Sequence, residues 1–154
     1  MTSRRTATRV PYAAAQMFAL VADIERYPQF LPWCAALRVV GRRTDGDVEF
    51  LTAEMIVAYK VFREKFRSLV RVDSARSRID VDYVDGPFRS LRNEWVFGDF
   101  PDGGSTVDFL IEFEFRNRML QATAHAVFEK AFVKMSDAFV ARAALVYGNS
   151  SPGE

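Results

Sequence analysis

One long amphipathic segment near the C-terminus limits what this chain can fold into more than any other feature. Asn117 is suited to cap a helix N-terminus, and Gly148 to end one. Between them a helix runs to about Tyr147, near 30 residues or about 45 Å. Phe128, Phe132, Met135, Phe139 and Val146 fall on one stripe at spacings of three, four and seven, and Ala124, Ala131 and Ala138 recur along its edge. Lys130, Lys134 and Asp137 occupy the opposite side. So aromatic a stripe must be covered along its length, and in a chain of 154 residues only a large curved sheet does that.

The strands for such a sheet lie between Cys34 and Arg116. Asp45-Gly46, Asp73-Ser74, Asp85-Gly86-Pro87 and Pro101-Asp102-Gly103-Gly104 are turn signals, widely spaced, which implies long antiparallel strands joined as hairpins. Val107, Phe109, Ile111, Phe113 and Phe115 alternate with Asp108, Glu112 and Glu114, Leu110 being the exception. Leu91, Asn93, Trp95 and Phe97 oppose Arg92 and Glu94, while Phe62, Phe66, Val70 and Val72 oppose Arg63, Lys65, Arg67 and Arg71. No turn residue marks a boundary between Glu49 and Val61. Ahead of these lie an edge strand over Arg4 to Val10, a helix over Ala13 to Ala22 with Phe18 and Val21 on one face, and a second short helix after Asp23, limited by Pro28 and Pro32. The fold expected is α+β: about seven antiparallel strands, two short helices after the first, and the long helix. Residues 1–147 form one domain and 148–154 a loose tail.

Fourteen Phe, 5 Tyr and 2 Trp make either a dense core or a lined apolar cavity. Phe50, Phe62, Phe66, Trp95, Phe109 and Phe113 are the rings the sheet offers to the helix. A net charge of +1 gives no global attraction to DNA or anionic lipid. A single Cys and a single His exclude an internal disulfide and the usual zinc clusters, so no metal is expected. No apolar run is long enough to span a bilayer, and the N-terminal residues Met1 to Arg5 have no apolar run behind them. A reducing, cytoplasmic setting is expected.

Candidate catalytic groups are few. His125, at the edge of the helix stripe, has no evident Ser or Cys partner and reads as a core-edge residue. Glu54 shares the alternation of Phe50 and Ile56, and Glu64 that of Phe62 and Phe66. A carboxylate facing an apolar cavity would have a raised pKa and serve as general acid or ligand hydrogen-bond partner. At the sheet margin it would simply reach water. Cys34 reads as a small core hydrophobe. Arg63, Lys65, Arg67 and Arg71 form a positive stripe. It is either a solvated face balanced by neighbouring acids or a contact surface for phosphate on lipid or RNA. Tyr27 to Leu37 contains no charge and two prolines, and is either a cavity lid that touches a membrane or a plug for the end of the sheet.

Tyr12 and the run Gln16 to Cys34 resemble the opening of the coenzyme Q-binding START-domain family. Phe62-Arg63-Glu64 with Phe66 is similar to its central strand, and Asp85-Gly86-Pro87-Phe88 with Leu91, Asn93, Trp95 and Phe97 to its later hairpin. Phe113-Glu114-Phe115 and the helix from Phe128 to Phe139 complete a likeness covering residues 4–145. That family also includes bacterial ribosome association toxins, and related proteins include polyketide cyclases. The resemblance implies a helix-grip fold with a cavity for a hydrophobic ligand, in the quinone-binding branch ubiquinone, carried without catalysis or catalytic cofactor in support of respiration. The lining expected is Phe18, Tyr27, Phe30, Leu31, Trp33, Phe50, Glu54, Phe62, Glu64, Phe66, Trp95, Phe109, Phe113, Phe128, Phe132 and Met135. The alternatives are binding to the large ribosomal subunit through the Arg63/Lys65/Arg67/Arg71 face, and a cyclase-like enzyme. Transient contact with the inner membrane surface goes with the carrier reading.

Overall fold

The structure is a computed structural model and describes residues 1–59 and 62–148. Strand β1 (Thr2–Val10) is followed by helix α1 (Ala14–Ala22) and a 3₁₀ segment over Ile24–Gln29. Six strands then run in sequence: β2 (Cys34–Asp45), β3 (Val48–Tyr59), β4 (Phe62–Asp73), β5 (Arg78–Asp85), β6 (Phe88–Asp99) and β7 (Ser105–Phe115). The chain ends in helix α2 (Arg118–Tyr147). Every strand pairs antiparallel, in the order β1-β7-β6-β5-β4-β3-β2. This is the helix-grip arrangement that the resemblance implies. The expected tail, apart from Gly148, lies outside the described residues.

Local chemistry accounts for the element ends. The Asn117 side chain accepts a 3.0 Å hydrogen bond from the Leu120 N–H, satisfying one of the open donors of α2. At the other end Gly148 takes φ +80°, where a side chain would be strained. The proline inside Ile24–Gln29 keeps that segment short. The missing boundary after Glu49 is explained by β3 running unbroken to Tyr59, which pairs directly with Phe62.

Ring contacts hold α2 on the inner face of the sheet: Phe128 against Phe113 at 5.4 Å between centroids, Phe132 against Phe109 at 5.8 Å, and Phe139 against Trp95 at 5.3 Å. Val146 departs from the expected stripe, being 50% exposed, while Ala143 is fully buried. The end of α2 is tied to α1 and the residues before it: the Tyr147 hydroxyl donates to the Gln16 carbonyl (2.7 Å) and the Tyr12 hydroxyl to the Gly148 carbonyl (3.1 Å).

Candidate functional site

A cavity of about 230 Å³ lies between α2 and the sheet. A single water needs roughly 10–15 Å³ by a comparable measure, so this is far more than a packing defect. Strand alternation builds its floor. Phe62, Glu64, Phe66, Ser68 and Val70 turn inward from β4, Leu91, Asn93 and Trp95 from β6, and Phe109, Ile111, Phe113 and Phe115 from β7. Phe128, Ala131, Phe132, Met135 and Phe139 of α2 form the roof. Alanines along the edge of the stripe leave room, since larger side chains at 124 and 131 would enter the space. Tyr27, Leu31 and Trp33, from the 3₁₀ segment and the turn after it, close one end.

The wall is almost wholly apolar, with few polar groups. The buried Tyr27 hydroxyl donates to the Val21 carbonyl, and burial drives its pKa far above the usual phenol value. Glu64 and Ser68 line β4. Asn93 lines β6, and its Oδ1 is buried with no hydrogen-bond partner. Cys34 is buried near Tyr27; burial pushes its thiol up to about 11, so it stays protonated as a small apolar group.

Of the residues expected to line a cavity, the structure gathers Tyr27, Leu31, Trp33, Phe62, Glu64, Phe66, Trp95, Phe109, Phe113, Phe128, Phe132 and Met135 around this space. Four lie elsewhere. Phe50 points to the outer face, where its ring lies under Arg43 at 4.3 Å and Arg71 at 5.8 Å. Glu54, on the same alternation, also faces outward. It accepts from Arg38 (2.7 Å) and Arg67 (2.7 Å) with Lys65 at 4.0 Å, and these cations hold its carboxyl down at about 2 rather than raising it. Phe18 packs edge-on against Phe97, 5.7 Å away and off the cavity. Phe30 packs edge-on against Tyr27 and Phe139 with Arg142 over its ring at 5.2 Å, a plug rather than a wall.

His125 is held by structure as well: its Nδ1 lies 2.8 Å from the buried Thr2 hydroxyl, which also receives the Gln121 amide at 3.1 Å. Arg63, Lys65, Arg67 and Arg71 are exposed on the outer face. Sequence reasoning named Asn93 only as part of an alternation and left out Ile111 and Phe139 as lining. Their faces were legible from the alternation of β6 and β7 and the stripe of α2; that space remained between them was not.

Comparison with known proteins bears on this geometry. The family model described as polyketide cyclase / dehydrase and lipid transport matches residues 10–140. The chain belongs to that family. Within its wider range the chain is 36% identical over 138 residues to the ribosome association toxin RatA of Escherichia coli, covering 90% of this chain and 84% of the toxin. It is 28% identical over 136 residues to the mitochondrial coenzyme Q-binding protein of Drosophila melanogaster, spanning 85% of this chain and 54% of that protein. A solution structure of an 18 kDa protein from Caulobacter crescentus, 37% identical, superposes with TM-score 0.82 over 96% of this chain and 99% of that one. A Streptomyces aromatase/cyclase at 14% identity shares the fold, with TM-score 0.79 over 97% of this chain and 98% of its own. These curated relatives are named as toxin or binding protein, while the family also holds cyclases.

Proposed function

We propose that the protein binds and carries a hydrophobic ligand without catalysing a reaction, and that the ligand is a prenylquinone of the ubiquinone type. The observation that carries this reading is the apolar cavity between α2 and the sheet, ringed by Trp95, Phe109, Phe113, Phe128 and Phe132. Flat rings suit a flat quinone head, and each buried CH₂ of an isoprenoid tail contributes roughly 0.8 kcal/mol before the cost of ordering it. The similarity to a coenzyme Q-binding protein supports the choice of ligand. Trp33 and Leu37, partly exposed and also on the wall, offer a route from a membrane surface to the cavity. Transient contact with the inner membrane, in support of respiration, belongs to the same proposal. Mass spectrometry of organic extracts from native protein tests it: a prenylquinone is expected in the extract. Recovery of no quinone from cells that make it would count heavily against the reading.

A second reading, association with the large ribosomal subunit through the Arg63/Lys65/Arg67/Arg71 face, is supported by the similarity to the ribosome association toxin. Co-sedimentation with ribosomal subunits at low and moderate salt separates the two, since phosphate contacts weaken steeply as salt rises.

A further inference from the structure

Asn93 is the anomaly of the cavity wall. Its register places it between Val81 on β5 and Ile111 on β7, with Leu91 and Trp95 as its neighbours on the inner face of β6. Val81, Ile111 and Leu91 are apolar, and the Trp95 indole does not reach the amide oxygen, which has no partner. Strand β6 is flanked on both sides, so the main-chain groups around Asn93 are engaged in the ladders with β5 and β7. The side-chain Oδ1 is buried and has no partner. A buried polar group left unpaired is destabilising, and a leucine, which has the same branched heavy-atom skeleton, would remove the penalty. Its presence on this floor is accounted for if a ligand supplies the missing hydrogen bond.

The surroundings define that ligand group. An amide carries both a donor pair and an acceptor. Turned either way, it meets a ring carbonyl or a ring hydroxyl. Phe113, Phe128 and Trp95 line the same space with aromatic rings, which favours a flat ring bearing that oxygen over a charged head. We propose that Asn93 is the seat for the polar head of the ligand, a quinone carbonyl or hydroquinone hydroxyl, so that the head lies inward on the sheet floor and the tail trails toward the exit. This rests on the carrier reading above and adds to it the residue that selects the head. A few well-placed polar groups in an apolar pocket commonly set orientation in this way.

The test titrates the full chain with decylubiquinone and with decylbenzene, which has the same chain on a ring without oxygen. Emission from Trp33 and Trp95, both on the wall, reports binding. Asn93→Leu should weaken decylubiquinone about tenfold, as loss of one buried hydrogen bond implies, and leave decylbenzene within about twofold. Asn93→Ser, too short to reach the same oxygen, should show the same selective loss and guards against a leucine-specific artefact. The thermal midpoint of ligand-free Asn93→Leu should equal or exceed that of the parent. Equal affinity of parent and variant for decylubiquinone, or equal weakening of both compounds, overturns the seat. A parent that binds decylbenzene as tightly as decylubiquinone overturns the seat but leaves an apolar-ligand carrier standing. A parent that binds neither removes the carrier reading itself.

Discussion

Truncation of Phe132 to alanine probes the grip of helix on sheet most directly. The ring is 6% exposed, stands 5.8 Å from Phe109 and 5.7 Å from Phe128, and carries the Arg4 guanidinium 5.2 Å from its centroid. A buried Phe→Ala change usually costs about 3–5 kcal/mol, partly transfer and partly the cavity left behind. Part of this ring already borders empty space, so fewer dispersion contacts are lost there than in a filled core. The expected cost is therefore at the lower end, about 3 kcal/mol. For a chain of this size each kcal/mol lowers the thermal midpoint by roughly 2–4 °C, which gives a fall of about 6–12 °C. The control is its neighbour Val133, 52% exposed on the other side of α2. Val133→Ala should stay within about 0.5 kcal/mol. Paired thermal melts by circular dichroism read both. Equal shifts for the two variants, or a fall under about 2 °C for Phe132→Ala, would refute the phase assigned to α2.

Three further outcomes are expected. The carboxyl of Glu54 is held at about 2 by Arg67 and Arg38, below its ordinary 4.5. A depressed folded-state pKa stabilises above the unfolded value and is lost as pH falls from about 4.5 toward 2. Glu54→Gln should thus lower the urea midpoint at pH 7 and have little effect near pH 2, and a pH-independent difference would contradict the pairing. Cys34, buried with its thiol pushed up to about 11, should resist iodoacetamide at pH 8 in the native state and react once denatured; rapid native labelling, followed by intact mass, would contradict the burial. Trp33→Asp should slow quinone exchange with vesicles more than it lowers the thermal midpoint, because Trp33 borders both cavity and solvent. A transfer rate matching the parent would put the gate elsewhere.

Periodicity was legible where one face was much more apolar than the other. On β6 and β7 polar and apolar residues alternate, so the inward face followed directly. On β3 they do not: Leu51, Ala53, Met55 and Val57 form one face and Phe50, Thr52, Glu54 and Ile56 the other. A period of two says which residues share a face but not which face is inside, and the large Phe50 ring made the wrong one look apolar. Its cover is supplied by arginines from β2 and β4, a tertiary contact with no local signature. Phe18 and Phe30 were misplaced for a related reason. Both pack inward, but against Phe97 and Phe139 rather than toward the space. Burial was legible in them; the difference between core and cavity wall is a matter of volume, which no pattern encodes.

The two faces of the sheet bear unequally on what the molecule can bind. Of the four outer cations, Arg67 and Lys65 converge with Arg38 on Glu54, and Arg71 lies over Phe50. Among the described residues Arg63 makes no ion pair. Arg67 commits its Nη2 to a 2.7 Å pair with a carboxylate only 12% exposed, so a phosphate on this stripe would share Arg67 with Glu54. Turning Arg67 away would leave Glu54 to Arg38 and Lys65, with less of the positive charge that holds it ionised. The inner face requires no comparable disruption: its surface is already apolar and unfilled, and its unpaired amide gains a hydrogen bond on contact. A ligand in the cavity completes contacts the fold leaves open, whereas phosphate binding through the full stripe competes with Glu54 for Arg67 and Lys65. That difference favours the carrier reading and confines any polyanion contact by this stripe to its less engaged members, Arg63 first among them.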